Sequence, residues 1–225
     1  MSEVNKVEEE EPIVQKPSVV GMIWSPIEQF DRIRERPRIW GPMAIIIGLF
    51  IIGMIISVLS VDTGLDGIPE EEMAMVAGIA AVGSVIAGVF IPVIGTFFSS
   101  FIYWIIAKMA RSEVSFKQLF SMCTYIMVIS ALSVIVNGIG TAILGGNGET
   151  VFTSLGSIIP VEGAISGLLG SIELFSIWGV ILSAFGLNRV ANFPKGLAWT
   201  ISIAFFAIGV VITMIGASFA GMVGV

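Results

Sequence analysis

The chain contains no histidine and only one cysteine, Cys123, which lies inside an apolar run. Without histidine, serine–histidine catalysis, histidine-ligated zinc and haem-type ligation are excluded. A single thiol allows no disulfide within the chain and says nothing of the redox compartment. Charge is scarce as well: 12% of the 225 residues are charged, against about 25% in an ordinary soluble domain. Eleven Lys and Arg residues are too few for a nucleic-acid surface. No set of paired acids or metal-ligating side chains suggests catalysis, so the expectation is a non-enzymatic protein with no cofactor and no metal.

What the chain does hold is apolar, at 56% hydrophobic residues. A soluble core cannot absorb that fraction without exposing large apolar patches, and the apolar residues fall in blocks of about 20, enough to cross a bilayer. The predicted fold is an all-α integral membrane protein, a bundle of five transmembrane helices behind an N-terminal cytoplasmic interfacial helix. Its parts are an acidic, disordered cytoplasmic tail over 1–21, an amphipathic interfacial helix over 22–39, and a membrane domain over 40–225. The spans fall at about 40–61, 75–107, 117–144, 164–187 and 196–221. No cleavable signal is expected, because the N-terminus is acidic and the first apolar block begins only near Trp40.

The second block needs arbitration. Met73 to Ala107 would make a helix of about 52 Å against a hydrocarbon core of about 30 Å. One bent helix or a hairpin broken at Pro92 would each fit. Charge decides between them. With five spans and the N-terminus inside, Lys6, Lys16, Arg32, Arg34, Arg36, Arg38, Lys108, Arg111, Lys117, Arg189 and Lys195 all face the cytoplasm. Only acids (Asp62, Asp66, Glu70, Glu71, Glu72, Glu149, Glu162) remain outside. That map obeys the positive-inside rule and favours a single bent helix, in a cell-membrane protein with its C-terminus outside. Trp40, Tyr103, Trp104 and Trp199 would then form an aromatic belt on the inner side.

The stretch WSPIEQFDRIRERPRIWGP, Trp24 to Pro42, concentrates charge just before the first span. Ser25, Pro26 and Glu28 have the spacing of a helix start, and Pro37 ends the pattern. Ile27, Phe30 and Ile33 recur on one face, and Glu28–Arg32 is an i,i+4 pair. So short a helix is marginal in water. It is expected to lie on the lipid surface, with Trp24 and the Ile/Phe face in the headgroups and Arg32, Arg34, Arg36 and Arg38 near anionic lipid. The lipid bilayer is thus the first partner.

Glu173 is the one charged residue well inside a predicted span. A carboxylate there must face the bundle interior, where Asn137 and nearby serines are hydrogen-bonding candidates. It is either a proton- or cation-handling site, which would make the protein a small transporter or channel, or a hydrogen-bonded packing residue. Small residues recur at spacings of four: Ala80, Ser84 and Gly88; Gly163 and Gly167; Gly216, Ala220 and Gly224. They predict close helix packing. The GGNGE stretch at 145–149 lacks the Lys-Ser/Thr ending of a phosphate loop and reads as a turn.

These residues also carry a family resemblance. Trp24, Pro26, Glu28, Phe30, Ile33 and Pro37 form a W-x-P-x-E-x-F-x-x-I-x-x-x-P segment similar to that of prokaryotic members of the Yip (Ypt-interacting protein) domain family. Ser115–Leu132 resembles the family's entry into its third span and Glu173–Leu187 its fourth. The chain departs from the pattern at Ile126-Met127-Val128, where a proline is expected. The resemblance implies five spans and a non-enzymatic role in scaffolding or modulating other membrane components. It also implies that a partner could be another membrane protein, such as an exporter of the ATP-binding-cassette type.

Overall fold

The described residues of the computed structural model are 15–60, 70–145, 151–159 and 161–223, of which 70, 71 and 221–223 are described as backbone only. They form eight α-helices: α1 (Gly21–Trp24), α2 (Pro26–Glu35), α3 (Trp40–Ser60), α4 (Glu70–Met109), α5 (Phe116–Leu144), α6 (Ala164–Ser171), α7 (Leu174–Val190) and α8 (Lys195–Val223). A single 3-10 turn, Leu155–Ser157, precedes α6. No strand forms among the described residues. One isolated antiparallel bridge joins Ser154 to Glu173.

Four helices, α3, α4, α5 and α8, are long and apolar enough to cross a membrane. The second block is one continuous helix of 40 residues with Pro92 inside it. The expected fourth span is corrected. Residues 164–187 are not one helix but α6, with 8 residues, and the shorter apolar α7, with 17, separated at Ile172 and Glu173. The physical reason is polar. At the break the backbone turns extended and pairs with the preceding loop, Leu155 N–H donating to Ile172 C=O (3.0 Å) and Leu174 N–H to Thr153 C=O (3.2 Å). Irregular backbone in a membrane domain persists only where protein satisfies its polar groups.

α5 is the axis of the bundle and packs against α2, α3, α4 and α7. Its start is fixed by a reciprocal cap: Ser115 Oγ accepts from Gln118 N–H (3.2 Å) while Gln118 Oε1 accepts from Ser115 N–H (2.9 Å). The S-x-x-Q spacing is a capping box readable in sequence. α3 lies along α5, where Gly53 meets Val134 and Ile135 and Gly138 meets Ser57. α8 packs on α6 and α7 and meets α4 through Phe205 and Tyr103, while much of its remaining surface is exposed.

One end of the bundle gathers the C-termini of α4 and α7, the N-termini of α5 and α8, and the α1–α2 segment. Ser112 Oγ donates to Ala191 C=O (2.7 Å), Gln118 Nε2 to Arg34 C=O (2.7 Å) and Ser121 Oγ to Arg38 C=O (2.8 Å). Every Lys and Arg among the described residues lies at this end or in the segments leading to it. The acids at 70–72 begin α4 at the opposite end.

Four expectations are corrected here. Phe30 and Ile33 do not lie on lipid: both are 0% exposed and pack with Met22, Leu119, Met122, Leu187 and Phe193 in the main core. Apolar side chains gain more from a dry protein cleft, where packing adds to burial, than from the mixed headgroup region. Trp24 (81% exposed) and Ile27 (41%) stay outside that core. The tail read as disordered through residue 21 is ordered from residue 15. Tyr125 Oη donates to Pro17 C=O (3.0 Å) and Ser18 N–H to Gln29 Oε1 (2.8 Å), anchoring it; residues 1–14 lie outside the described residues. Ser25 occupies the N-cap position of α2 without a capping bond, because α1 precedes it directly and its hydroxyl donates to Gly21 C=O (3.3 Å). Tyr103, read as a belt residue, is buried in the core, whereas Trp40 is exposed.

The burial of Phe30 and Ile33 makes a prediction. Phe30→Ala should lower unfolding free energy in detergent micelles by about 3–5 kcal/mol, the cost of emptying a core phenylalanine site. Trp24→Ala should change it by about 0.5 kcal/mol or less. Equal effects of the two would contradict the docked helix.

Candidate functional site

Glu173 stands at the N-cap position of α7, with extended backbone (φ −120°, ψ 148°). Its carbonyl accepts the first helical bond from Ile177 N–H (3.0 Å). The side chain does not cap the helix. It turns toward α5 and the 151–155 loop and is 7% exposed. Oε1 accepts from Ser133 Oγ in a very short bond, from Thr153 Oγ1 at 2.9 Å and from Asn137 Nδ2 at 3.3 Å. Oε2 accepts from Ser176 Oγ at 2.9 Å, three residues on in α7.

Asn137 ties the same group together from α5. Its Nδ2 donates to Ser133 C=O (3.0 Å) and Thr153 Oγ1 (2.9 Å), and its Oδ1 accepts from Thr153 N–H (3.0 Å). One carboxylate thus joins the middle of α5, the start of α7 and the loop before α6. Among the described residues no ion pair reaches Glu173; the pairs formed are Arg32–Glu28 (2.5 Å) and Arg189–Asp31 (3.8 Å) at the basic end. No three His, Cys, Asp or Glu side chains cluster among the described residues. The arrangement supplies a carboxyl group that accepts hydrogen bonds from neutral donors and has no Lys or Arg partner among the described residues.

Glu173 and Ser133 also form part of the wall of an open cavity of about 460 Å³ lined by residues of α4, α5, α7 and α8. Tyr103 of α4 and Phe205 of α8 meet at it with ring centroids 5.1 Å apart.

Residues 20–216 match the model of the Yip1 domain. The chain belongs to the Yip1 domain family. It is also 34% identical over 207 residues to "Membrane protein YknW" of Bacillus subtilis (strain 168), a match covering 89% of this chain and 90% of that one. No solved structure matches it. The Yip1 domain therefore takes in the α1–α2 segment as well as the bundle, and the protein is a membrane protein.

The other residues singled out in the sequence divide. Arg32 holds Glu28 and also donates to Gln15 Oε1 (2.6 Å). Arg34 reaches Asn192 Oδ1 (3.5 Å), while Arg34 and Arg38 each lend a backbone carbonyl to α5. Arg36 closes α2, its N–H donating to Arg32 C=O (2.8 Å). Of the small residues, Gly88 packs on Ile51 of α3 and Ser84 is buried beside it. Gly167 lies so close to Thr213 of α8 that a Cβ would stand 2.6 Å from its carbonyl oxygen. Four readings are corrected: Ala80 and Ala220 are exposed, Gly216 has no neighbour within 4 Å of a built Cβ, and Gly163 is a turn residue at φ +63°. Gly224 lies outside the described residues. Missed were Gly53 and Ser57 of α3, whose spacing of four was open to the same rule, and the hydroxyls of Thr153 and Ser176, which no spacing rule links to Glu173.

The network predicts strong coupling. A double-mutant cycle of Glu173→Ala and Asn137→Ala, read from unfolding in micelles, should give an interaction energy of about 0.5–3 kcal/mol. Glu173→Ala alone should cost about 1–3 kcal/mol by leaving hydroxyls without an acceptor. Additive effects would mean that the two side chains act separately.

Proposed function

We propose that this protein is a non-catalytic membrane component that scaffolds or modulates other membrane proteins, an export complex of the ATP-binding-cassette type being one such assembly. The observation that supports it is the surface of α4. Large apolar side chains are exposed along it from Met73 to Met109, a length of about 54 Å at about 1.5 Å per residue. Even a tilt of about 40° leaves roughly 41 Å along the bilayer normal. That exceeds a hydrocarbon core of about 30 Å by around two helical turns. Apolar helix beyond the lipid calls for protein cover, and another membrane protein supplies it. The closed hydrogen-bond network around Glu173 agrees, since it resembles a structural joint more than a group poised for turnover.

The orientation proposed with this reading puts the basic end in the cytoplasm and the acids at 70–72 outside. In that frame α2 closes the cytoplasmic end of the bundle. Trp24 and Ile27 are left free to meet lipid headgroups or a partner.

Photo-crosslinking groups placed at Ile79 and Phe98 should capture a membrane partner in stoichiometric amount from intact cells, while one at buried Ile46 should not. Recovery of the lone chain from both exposed positions would overturn the scaffold reading. A reporter active only outside the membrane, fused after Arg111, should be silent; activity there would overturn the orientation.

A further inference from the structure

The cavity beside Glu173 has a chemistry of its own. Its wall carries the hydroxyls of Thr96, Ser130, Ser133 and Ser202, the Glu173 carboxylate, and the rings of Phe175, Phe205 and Phe206. At about 460 Å³ it is within the range of small-molecule sites, about 300–1,000 Å³. Two observations point to a ligand rather than to packing. Thr96 is 1% exposed, yet its Oγ1 is buried without a hydrogen-bond partner among the described residues. Most buried hydroxyls in proteins are paired, so an orphan on a cavity wall marks a place where a donor or acceptor from outside would be satisfied. The second observation is charge: Glu173 takes its hydrogen bonds from neutral groups, and no Lys or Arg among the described residues pairs with it.

Carboxylate, hydroxyls and aromatic rings in one pocket are complementary to a single kind of guest. A carboxylate selects positive charge and hydroxyl oxygens accept N–H bonds. Ring faces favour a cation and any apolar body attached to it. A bare metal ion would leave most of the volume and all of the rings unused. We propose that this cavity is a binding site for a small organic ammonium ion, its charge set against Glu173, an N–H on Thr96 Oγ1 and its apolar body among the α8 phenylalanines. The Tyr103–Phe205 pair bridges α4 and α8 at the cavity. This inference is independent of the scaffold reading.

The probe is benzylammonium, titrated by isothermal calorimetry into the full-length protein in micelles, with neutral benzyl alcohol as its uncharged counterpart. Saturable binding of benzylammonium is expected, with benzyl alcohol at least about tenfold weaker. Glu173→Gln should weaken benzylammonium by a similar factor. Thr96→Val should weaken it severalfold while leaving the melting temperature unchanged or higher, because an orphan hydroxyl is replaced by a methyl group of the same shape. That variant decides the matter if Glu173→Gln does not fold. Absence of saturable binding, equal affinity for the alcohol, or undiminished binding by Thr96→Val would each overturn the site.

Discussion

A carboxylate enclosed by helices and away from water is tolerated only when its lone pairs are met by donors. The organisation of this bundle follows from how Glu173 meets that requirement. Its donors come from α5, α7 and the loop before α6, so the condition cannot be fulfilled by one continuous helix passing through residue 173. The break between α6 and α7 is the consequence. The extended backbone at Ile172 and Glu173 lets the carboxylate turn toward α5, and the Leu155 and Leu174 bonds absorb the backbone groups that the break sets free. The short α6 then lies against α8, in contact close enough to require Gly167.

The opposite, basic end is governed by a different economy. Helix α2 carries too few residues to be stable alone and is held by what it buries. Phe30 and Ile33 enter the core between α5 and α7, Gly186 admits Phe30 at close range, and carbonyls of Arg34 and Arg38 take hydrogen bonds from α5. The arginines that crowd this segment therefore serve position as well as charge. Their side chains stay outside while their backbone ties the segment to the bundle.

Much of this was legible in sequence because it rests on local pattern. Apolar block length gave α3, α4, α5 and α8. The placement of Lys108, Arg111 and Lys117 on the basic side kept α4 whole through Pro92, and Glu173 with Asn137 was marked by the rarity of polar groups at that depth. Family membership was carried by the Trp24–Pro37 segment and by the Glu173–Leu187 stretch. What escaped is non-local. Hydropathy does not register a helix break whose flanks are both apolar, so 164–187 read as one span. Nor does a 3.6-residue period say whether an apolar face meets lipid or protein, which is why Phe30 and Ile33 were assigned to the surface. Small-residue spacing overpredicted contact at Gly216 and Ala220, where no helix lies opposite, and the partners Thr153 and Ser176 are brought to Glu173 by the turn itself.

The central claim, that the Glu173 network holds the α6–α7 break, is tested most directly by hydrogen exchange at the amides that cross it. In the intact protein Leu155 and Leu174 N–H should be protected comparably to amides of the neighbouring helices, because each is bonded across the break. In Glu173→Ala both should exchange at least about tenfold faster while amides in the middle of α3 and α5 keep their rates, the signature of local rather than global opening. Unchanged protection at Leu155 and Leu174 in that variant would show that the break stands without the carboxylate and would contradict the account.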